Sequence, residues 1–510
     1  MNPNSNATDS AFRPEYTPID TAFAWLTLVT AFLFCQSLPV TSYPLGGFLL
    51  ILALFASAFV ILRIKKQKLA PLCICSALSS LVISTALLLT NTAFLVNLSF
   101  AYCLASYGYF LYAAFGNRIE EGLSDYVYID YLQVLFVYPF RSFGAIFSAL
   151  ASSSARKFSG LLVKVLLGII IAVIPTCVIF LFLSYDPDFL KILDELFSFD
   201  FNEIFRAVRS LFFTLPLAMY GFGLYASSLS PDPMEKVTAQ DCKSRLEKMK
   251  VLPQLTALVA VLPILFLYGV YFVSQWKYYI SGFTGSLPAD FSYADYARQG
   301  FFELCCVSVI NLLLIVGIAF LIERDKNRSA VILKLVATLF CLCTLILIST
   351  AVAKLVMYID FYGLTPKRVY AMWLMALIAL VFLLIALGQF LKKAKTVALC
   401  LAVTIVLFSA LAVCDVNGLC ARYNADRYLS GTLETFDAGA MSNLGDSAVP
   451  SLVRVATEMD PQKDPHLHRR IDAILREKAA QLQSKDRSIF AFTVPAARAK
   501  AALQTYGLQP

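Results

Sequence analysis

The sequence predicts an all-α protein, in which a polytopic bundle of about 11 transmembrane helices precedes a small C-terminal helical domain. Of its 510 residues, 59% are hydrophobic and only 15% are charged, and the mean hydropathy is +0.71. Soluble domains carry about 25% charged residues. Long apolar runs recur up to about residue 414, and charged residues become frequent after it. We therefore expect lipid, rather than water, to cover most of the apolar side chains.

A helix that crosses a bilayer needs about 20 mainly apolar residues. Runs of that length predict spans at residues 21–39, 45–63, 69–90, 93–115, 161–183, 209–228, 254–275, 301–322, 331–357, 369–391 and 396–414. The segment before them, residues 1–20, is polar and acidic and contains no basic stretch ahead of the first run. This pattern predicts an uncleaved first span rather than a signal peptide.

Basic residues are distributed so that they predict the orientation of the spans. Lys and Arg cluster in the loops at 63–68, 236–250, 324–328 and 392–395, and the alternate loops are poor in them. The positive-inside rule makes the clustered loops cytoplasmic. The predicted protein lies in the cytoplasmic membrane, with its N-terminus inside and its C-terminal tail outside. The net charge of +8 is spread over short loops, which does not suit a nucleic-acid-binding face.

Two long connections are predicted to contain helices that do not simply cross the membrane. Residues 126–150 are aromatic and aliphatic but are interrupted by Asp130, Pro139 and Arg141, a pattern typical of interfacial or re-entrant helices. Residues near 187–206 show helical spacing of apolar side chains, which predicts an amphipathic helix on the outer surface. That helix would either pack on the bundle or sense lipid.

The clearest gathering of charge beside the hydrocarbon is the stretch 354–368, between two long apolar runs. Gly363 and Pro366 indicate a turn, and Thr365 is suited to the N-cap of the helix that follows. An ionisable residue at membrane depth favours a functional role, whereas a lysine that snorkels to the interface beside a paired aspartate favours anchoring. The candidate polar cluster consists of Lys354, Asp360, Tyr362, Gly363 and Arg368.

The tail, residues 415–510, is charged and carries helix start and stop signals. Its first helix is predicted to contain the i,i+4 pairs Arg422/Asp426 and Tyr423/Arg427 and to end at Gly431. Asp437 and Asp446 are predicted N-caps of later helices, and another helix is expected at about 465–485.

The tail is also predicted to dock on the turn at 358–368. The candidate docking residues are Asn424, Asp426 and Arg427. In this hypothesis Asp360 or Arg368 meets Arg427 or Asp426, and a separation beyond about 12 Å would exclude a direct or water-bridged pair.

Motifs for catalysis, cofactors and metals are not recognisable. The sequence holds no phosphate-binding loop, dinucleotide fingerprint or H-E-x-x-H motif, so no catalytic residue, cofactor or metal is predicted and an enzyme is disfavoured. The cysteines show no zinc or disulfide spacing, although Cys414 and Cys420 are close enough in sequence to bridge. The only histidines, His466 and His468, are predicted to lie solvated on a loop.

Two segments carry a resemblance to a bacterial multi-pass membrane family of unknown function. These are YIDFYGLTPKRVYAMW, from Tyr358, and NGLCARYNADRYLSGTLETFDAGAMSNLGDSAVPSLV, from Asn417. They resemble the domain-of-unknown-function group numbered 4173 and its relative numbered 4153, which join a Y-I-x-x-Y-G-L-T-x-x-R turn to an N-x-x-R-Y-L helix and a D-A-V-P helix start. The last motif has an inserted serine here, and the motifs cover about residues 300–455. The resemblance implies a bacterial cytoplasmic-membrane protein and no particular activity.

Three functional hypotheses follow, and the lipid bilayer is the only partner that the sequence predicts. The first is transport of a small solute or ion through a midplane site. The second is an envelope sensor or scaffold that acts through the outer tail. The third is a membrane enzyme acting on lipid, for which Asp360, Asp290 and Asp295 are candidate carboxylates. The midplane site of the first hypothesis would be lined by Lys354, Asp360, Glu303 and Asn311.

Overall fold

A computed structural model describes residues 16–36, 43–151, 201–229, 236–274, 293–322, 328–391, 394–462, 464–484 and 488–509, with isolated positions between 179 and 276. The predicted span at 161–183 and most of the predicted amphipathic helix at 187–206 lie outside these residues. Within the described ranges the secondary structure is helical, which confirms the predicted all-α class.

The N-terminal half of the chain contains α1 (Pro18–Gln36), α2 (Pro44–Ile64), α3 (Pro71–Ser84), α4 (Ala86–Leu89), α5 (Ala93–Ala114), α6 (Val127–Phe136), α7 (Tyr138–Arg141), α8 (Ala145–Ala151), α9 (Phe201–Leu229) and α10 (Ala239–Met249). The rest contains α11 (Gln254–Ser274), α12 (Tyr293–Leu321), α13 (Arg328–Tyr362), α14 (Pro366–Gly388), α15 (Thr396–Val413), α16 (Val416–Leu429), α17 (Ala438–Ser442), α18 (Val449–Glu458), α19 (Pro465–Ser484) and α20 (Val494–Thr505).

Among the described residues, 8 helical segments are long and apolar enough to cross a membrane, and a bent pair raises the number to 9. The 8 segments coincide with the predicted first to fourth, seventh and ninth to eleventh spans. The predicted span at 209–228 lies within α9, and the predicted span at 301–322 overlaps α12 as far as its last residue, Leu321. The chain is therefore a multi-pass membrane protein, and the number of 11 spans stays a prediction.

Large apolar side chains on these helices are left uncovered by protein. On α11, Leu255, Phe266 and Val273 are 70%, 75% and 79% exposed. Because a water-soluble protein does not expose such a continuous apolar surface, these side chains face the hydrocarbon of a bilayer.

The chain forms two compact units. The first comprises residues 1–77, 102–118 and 129–236, and its core joins α1, α8 and α9 through Phe23, Ile146, Phe222 and Tyr225. Small residues allow close approach in this unit, because a Cβ on Gly223 would collide with the backbone carbonyl of Pro139.

Residues 127–151 of the predicted interfacial connection form a bent pair of helical segments rather than one straight helix. The segment Val127–Arg141, which contains α6 and α7, meets α8 at a bend of 53°. The bend follows Pro139, whose ring removes a backbone donor. The pair is thus either a broken span or a re-entrant segment, and the second possibility agrees with one of the two predicted arrangements.

The second unit comprises residues 78–101, 119–128 and 237–510. Its membrane core packs α11, α12, α13 and α14 around Val261, Ile315, Phe340 and Phe382. A carboxylate caps α15, since Asp125 Oδ1 accepts hydrogen bonds from the backbone amides of Val397 (3.0 Å) and Ala398 (3.4 Å).

Helices α16 to α20 form the tail, which is built around α18. Helix α18 packs on α16, α19 and α20, and its buried face includes Leu452, Val455 and Ala456. Helix α19 presents Ile471 and Leu475 to this core at the four-residue spacing of one helix face. The tail is therefore a set of helices packed around shared buried apolar side chains, and the boundary of a separate domain at residue 415 stays a prediction.

The cap predictions for the tail are partly wrong. Asp437 caps α17 as predicted, by accepting from the amides of Gly439 (2.9 Å) and Ala440 (3.0 Å). Asp446 instead lies in a 3-10 turn, Gly445–Ala448, and Ala448 precedes α18 without a side-chain cap. The two histidines lie in the first turn of α19 rather than on a loop, because the helix already begins at Pro465.

Candidate functional site

The turn between α13 and α14 is a tight reversal that only glycine fits without strain. Helix α13 ends at Tyr362, and Gly363 follows with φ at +79°, in the left-handed region. The Gly363 amide donates to the Ile359 carbonyl at 2.8 Å. Thr365 occupies the extended N-cap position of α14 without a side-chain cap bond, and Pro366 begins the helix as predicted.

Arg368 stabilises this turn through contacts with residues of the turn itself and of the end of α13. Its guanidinium donates to the Gly363 carbonyl and lies 3.9 Å from the ring centroid of Tyr358. The ring of Tyr362 packs edge-on against Tyr358, with 5.2 Å between centroids. Because the cation is used inside the turn, it supports the turn's shape and does not pair with the tail.

Asn424 of α16 grips the turn through the backbone of Leu364. Its Oδ1 accepts from the Leu364 amide at 2.7 Å, and its Nδ2 donates to the Leu364 carbonyl at 2.8 Å. Asn424, which lies 60 positions further along the chain, thus satisfies both the backbone amide and the backbone carbonyl of Leu364. We call this two-bond contact the Asn424 clasp.

Arg427, one turn further along α16, adds a second contact to the same region. Its Nη1 donates to the Asp360 carbonyl at 2.9 Å and lies 3.7 Å from Asp360 Oδ1, and its Nη2 donates to the Thr432 carbonyl at 2.9 Å. The predicted meeting of Arg427 with Asp360 is therefore present. Since the Asp360 side chain is 64% exposed, the ion pair itself contributes little, and the backbone bond matters more.

The third predicted docking residue, Asp426, faces away from the turn. Its carboxylate pairs with Arg454 of α18, so it joins two tail helices. Asp426 was predicted to pair with Arg422, four residues before it on the same helix. It pairs with Arg454 instead, because α18 brings Arg454 within reach. The other predicted i,i+4 pair, Tyr423 with Arg427, is present, since Arg427 Nη1 lies 3.4 Å from the Tyr423 hydroxyl.

Cys414 and Cys420 both hold free thiols, so no bridge links the last span to the tail. Burial raises the pKa of the Cys420 thiol to about 12. Burial, and then the nearby Asp415, also raise the pKa of Cys414. Neither thiol is therefore readily ionised at neutral pH.

Among the described side chains, those proposed for a midplane transport site do not converge. Asn311 is fully buried, accepts from the Tyr268 hydroxyl at 2.7 Å and donates to Thr344 Oγ1 at 2.8 Å. Lys354 and Asp360 lie 10 and 16 residues beyond Thr344 on the same helix, which is about 15 and 24 Å along its axis. The side chain of Glu303 lies outside the described part of the structure.

Two buried aspartates in the first unit were not predicted as site residues. Asp20 is 1% exposed, pairs with Lys65 at 2.9 Å and accepts from the Tyr225 hydroxyl at 2.5 Å. Asp130, on the bent helix pair, is also 1% exposed and accepts from the Tyr112 hydroxyl at 3.0 Å. An aspartate inside an aromatic run, as in Tyr-Ile-Asp-Tyr, is the signal that could have identified the second.

Comparison with known proteins identifies a family but no activity. The family model of a domain of unknown function (DUF4153) matches residues 48–455, from α2 through most of α18. The match includes the turn, the clasp and the bent helix pair. No curated protein and no solved structure matches the chain. Because the match covers well over half of its residues, the chain belongs to the DUF4153 family, a family defined by a domain of unknown function.

Proposed function

We propose that this membrane protein is a sensor or assembly scaffold of the bacterial envelope, which acts through its helical tail on the outer face of the cytoplasmic membrane. The observation that carries the proposal is the Asn424 clasp. A tail joined to the last span only through its peptide link would be free to reorient. The clasp instead fixes α16 against the turn between α13 and α14.

The clasp supports this function because it joins the tail to membrane helices at a turn that only glycine can form without strain. Gly363 holds a backbone conformation that other residues adopt only at a cost, and Asn424 bonds to the residue that follows it. A partner that pulls or rotates the tail therefore acts directly on the ends of α13 and α14. This is the arrangement that a sensor or scaffold needs, with a binding domain mechanically coupled to its anchor.

The first test is the side of the membrane on which the tail lies. Ser430 is exposed at the end of α16, and Ser430→Cys supplies a thiol for a membrane-impermeant maleimide in intact cells. The native tail thiol Cys420 is buried with a raised pKa, so it adds little background. We expect Ser430→Cys to be labelled from outside and Lys243→Cys, in a predicted cytoplasmic loop, to be labelled only after lysis.

Labelling of Ser430→Cys only after lysis would overturn the envelope role. It would mean that the number of membrane crossings is even, for instance because the bent pair Val127–Arg141 and Ala145–Ala151 is a further span. The tail would then face the cytoplasm. The Lys243→Cys result would show whether the loop at 236–250 lies on the same side of the membrane as the tail.

A second candidate function, transport of a small solute or ion, is favoured by Asp130. A buried carboxylate on a broken helix is a feature of ion-coupled transporters, and Asp130 has 1% exposure and a tyrosine partner there. We expect Asp130→Asn to abolish a proton flux into liposomes, reported by an entrapped pH-sensitive dye, and Asp426→Asn on the tail to leave it unchanged. Wild-type liposomes that behave like empty ones would exclude proton-coupled transport.

A further inference from the structure

A cleft of about 490 Å³ lies between the tail and the ends of two membrane-spanning segments. The membrane side is formed by Leu89, at the end of α4, and by Val413, at the end of α15. The tail side is formed by residues from α16, α18 and α20 and from the 3-10 turn before α18. The cleft is thus positioned where an amphiphile would have its polar end in the tail and its apolar end in the membrane.

Three helices contribute residues of their first turns to the cleft. These are Gly418 of α16, Ser451 of α18 and Pro495 of α20. The N-terminal end of a helix carries a partial positive charge, so their convergence favours an anion. Asp415 and Thr493 cap two of these helices by accepting from the amides of Gly418 and Ala496. These two amides are therefore not free to bind a ligand, and the two helices contribute the electrostatic field of their dipoles.

Two arginines supply full positive charge. Arg422 of α16 and Arg498 of α20 line the cleft and are exposed to solvent. Neither takes part in the ion pairs found among the described residues. The one acidic residue of the lining, Asp415, has its Oδ1 bonded to the Gly418 amide at 3.0 Å. The lining therefore carries a net formal charge of +1, from two arginines and one aspartate.

A buried hydroxyl in the wall of the cleft lacks a hydrogen-bond partner. Ser447 is 7% exposed, and its Oγ bonds to no group of the described structure. Buried hydroxyls are nearly always paired, because an unpaired one forfeits the hydrogen bond it had with water. Because the Oγ has almost no accessible surface in this structure, the Ser447 side chain would have to rotate toward the cleft for a ligand oxygen to supply the missing partner.

We propose that this cleft binds a phosphate group, carried either by the headgroup of a membrane lipid or by a soluble phosphate compound. Two guanidinium groups match the oxygens of a phosphate and its charge. Ser447 would donate to a phosphate oxygen. The apolar edge made by Leu89, Val413 and the 41%-exposed Leu419 would contact the chains of a lipid. Phosphate binding in the cleft is separate from the proposed sensor or scaffold role and does not depend on the side of the membrane that the tail faces.

The test measures binding to the full-length protein purified in a neutral maltoside detergent. One arm counts bound phosphatidic acid by native mass spectrometry, with diacylglycerol as the probe that has the same chains without phosphate. The second arm measures stabilisation by inorganic phosphate. The variants are Arg422→Gln, Arg498→Gln and Ser447→Ala, and Lys500→Gln is the matched control, since Lys500 is an exposed cation of α20 outside the cleft.

We expect each arginine variant to weaken phosphate-dependent binding about tenfold or more, and Lys500→Gln to leave it unchanged. Binding of phosphatidic acid without an effect of inorganic phosphate assigns a lipid headgroup. If inorganic phosphate stabilises the protein and phosphatidic acid does not compete with it, the ligand is a soluble phosphate compound. Equal binding by wild type and both arginine variants, or no binding of either probe by wild type, overturns the proposal.

Ser447→Ala separates a ligand-binding role from a structural one. Removal of an unpaired buried hydroxyl should leave the ligand-free protein as stable as wild type or more stable. The same change should weaken phosphate binding severalfold. A variant that binds as tightly as wild type would remove Ser447 from the site, and with it the argument that the cleft is built for a ligand.

Discussion

Replacement of Gly363 by alanine is expected to weaken the contact between the tail and the turn by about 3 kcal/mol and so to release the tail. Alanine at φ +79° is strained, and its Cβ would lie 2.5 Å from Asn424 Oδ1, closer than atoms approach each other. The variant must therefore either displace Asn424 or distort the turn. Hydrogen–deuterium exchange of α16 in nanodiscs would report this as a loss of protection across Val416–Leu429.

Gly431→Ala provides the matched control. Gly431 has nearly the same φ, +74°, but nothing lies within 4 Å of the position that its Cβ would take. It should show the cost of backbone strain alone, about 1 kcal/mol. If the two alanine variants have equal effects on α16, the close approach of Asn424 to the turn has no energetic importance.

Asn424→Ala is expected to weaken the contact between tail and turn by about 2 kcal/mol. It removes two hydrogen bonds at once and leaves the amide and carbonyl of half-buried Leu364 dependent on water. The Leu364 amide is the direct reporter, because it donates to Asn424 in the wild type. Its hydrogen exchange should become at least about tenfold faster.

Asn417→Ala distinguishes loss of the clasp from a general loosening of the tail. Asn417 lies on the same helix and donates to the Leu444 carbonyl at 3.1 Å, a bond made entirely within the tail. The variant should speed exchange around Leu444 and leave the Leu364 amide protected. Faster exchange at Leu364 in both variants would mean that the clasp has no special part in holding the turn.

Much of the fold was predictable from the sequence, because a bilayer imposes a simple rule on it. Apolar runs of about 20 residues predict spans, and the described spans begin and end close to the predicted positions. Punctuation by Pro366 and Asp437 also predicted where helices begin. Asp446 misled, since an Asp before an apolar run resembles an N-cap but can also belong to a 3-10 turn.

The candidate site was predictable in its location but not in its contacts. Charge patterns drew attention to Asp360 and Arg427, which do meet. The better-made contact is the Asn424 clasp, whose partners are the backbone groups of Leu364, and backbone groups leave no signature in a sequence. The cleft was missed for a similar reason, because Arg422, Ser447 and Arg498 are brought together only when α16, the 3-10 turn before α18 and α20 pack against one another.

The most direct test of the central claim, that Asn424 holds the tail on the turn at Gly363, is a double-mutant cycle between these two residues. Without the Asn424 side chain there is nothing for an alanine at 363 to collide with. The double variant should therefore lose less stability than the sum of the single variants by more than about 1 kcal/mol, because in the Asn424→Ala background the Gly363→Ala change costs only the backbone strain seen in Gly431→Ala. Effects that add to within about 0.5 kcal/mol would mean the two residues act independently, and would contradict the account.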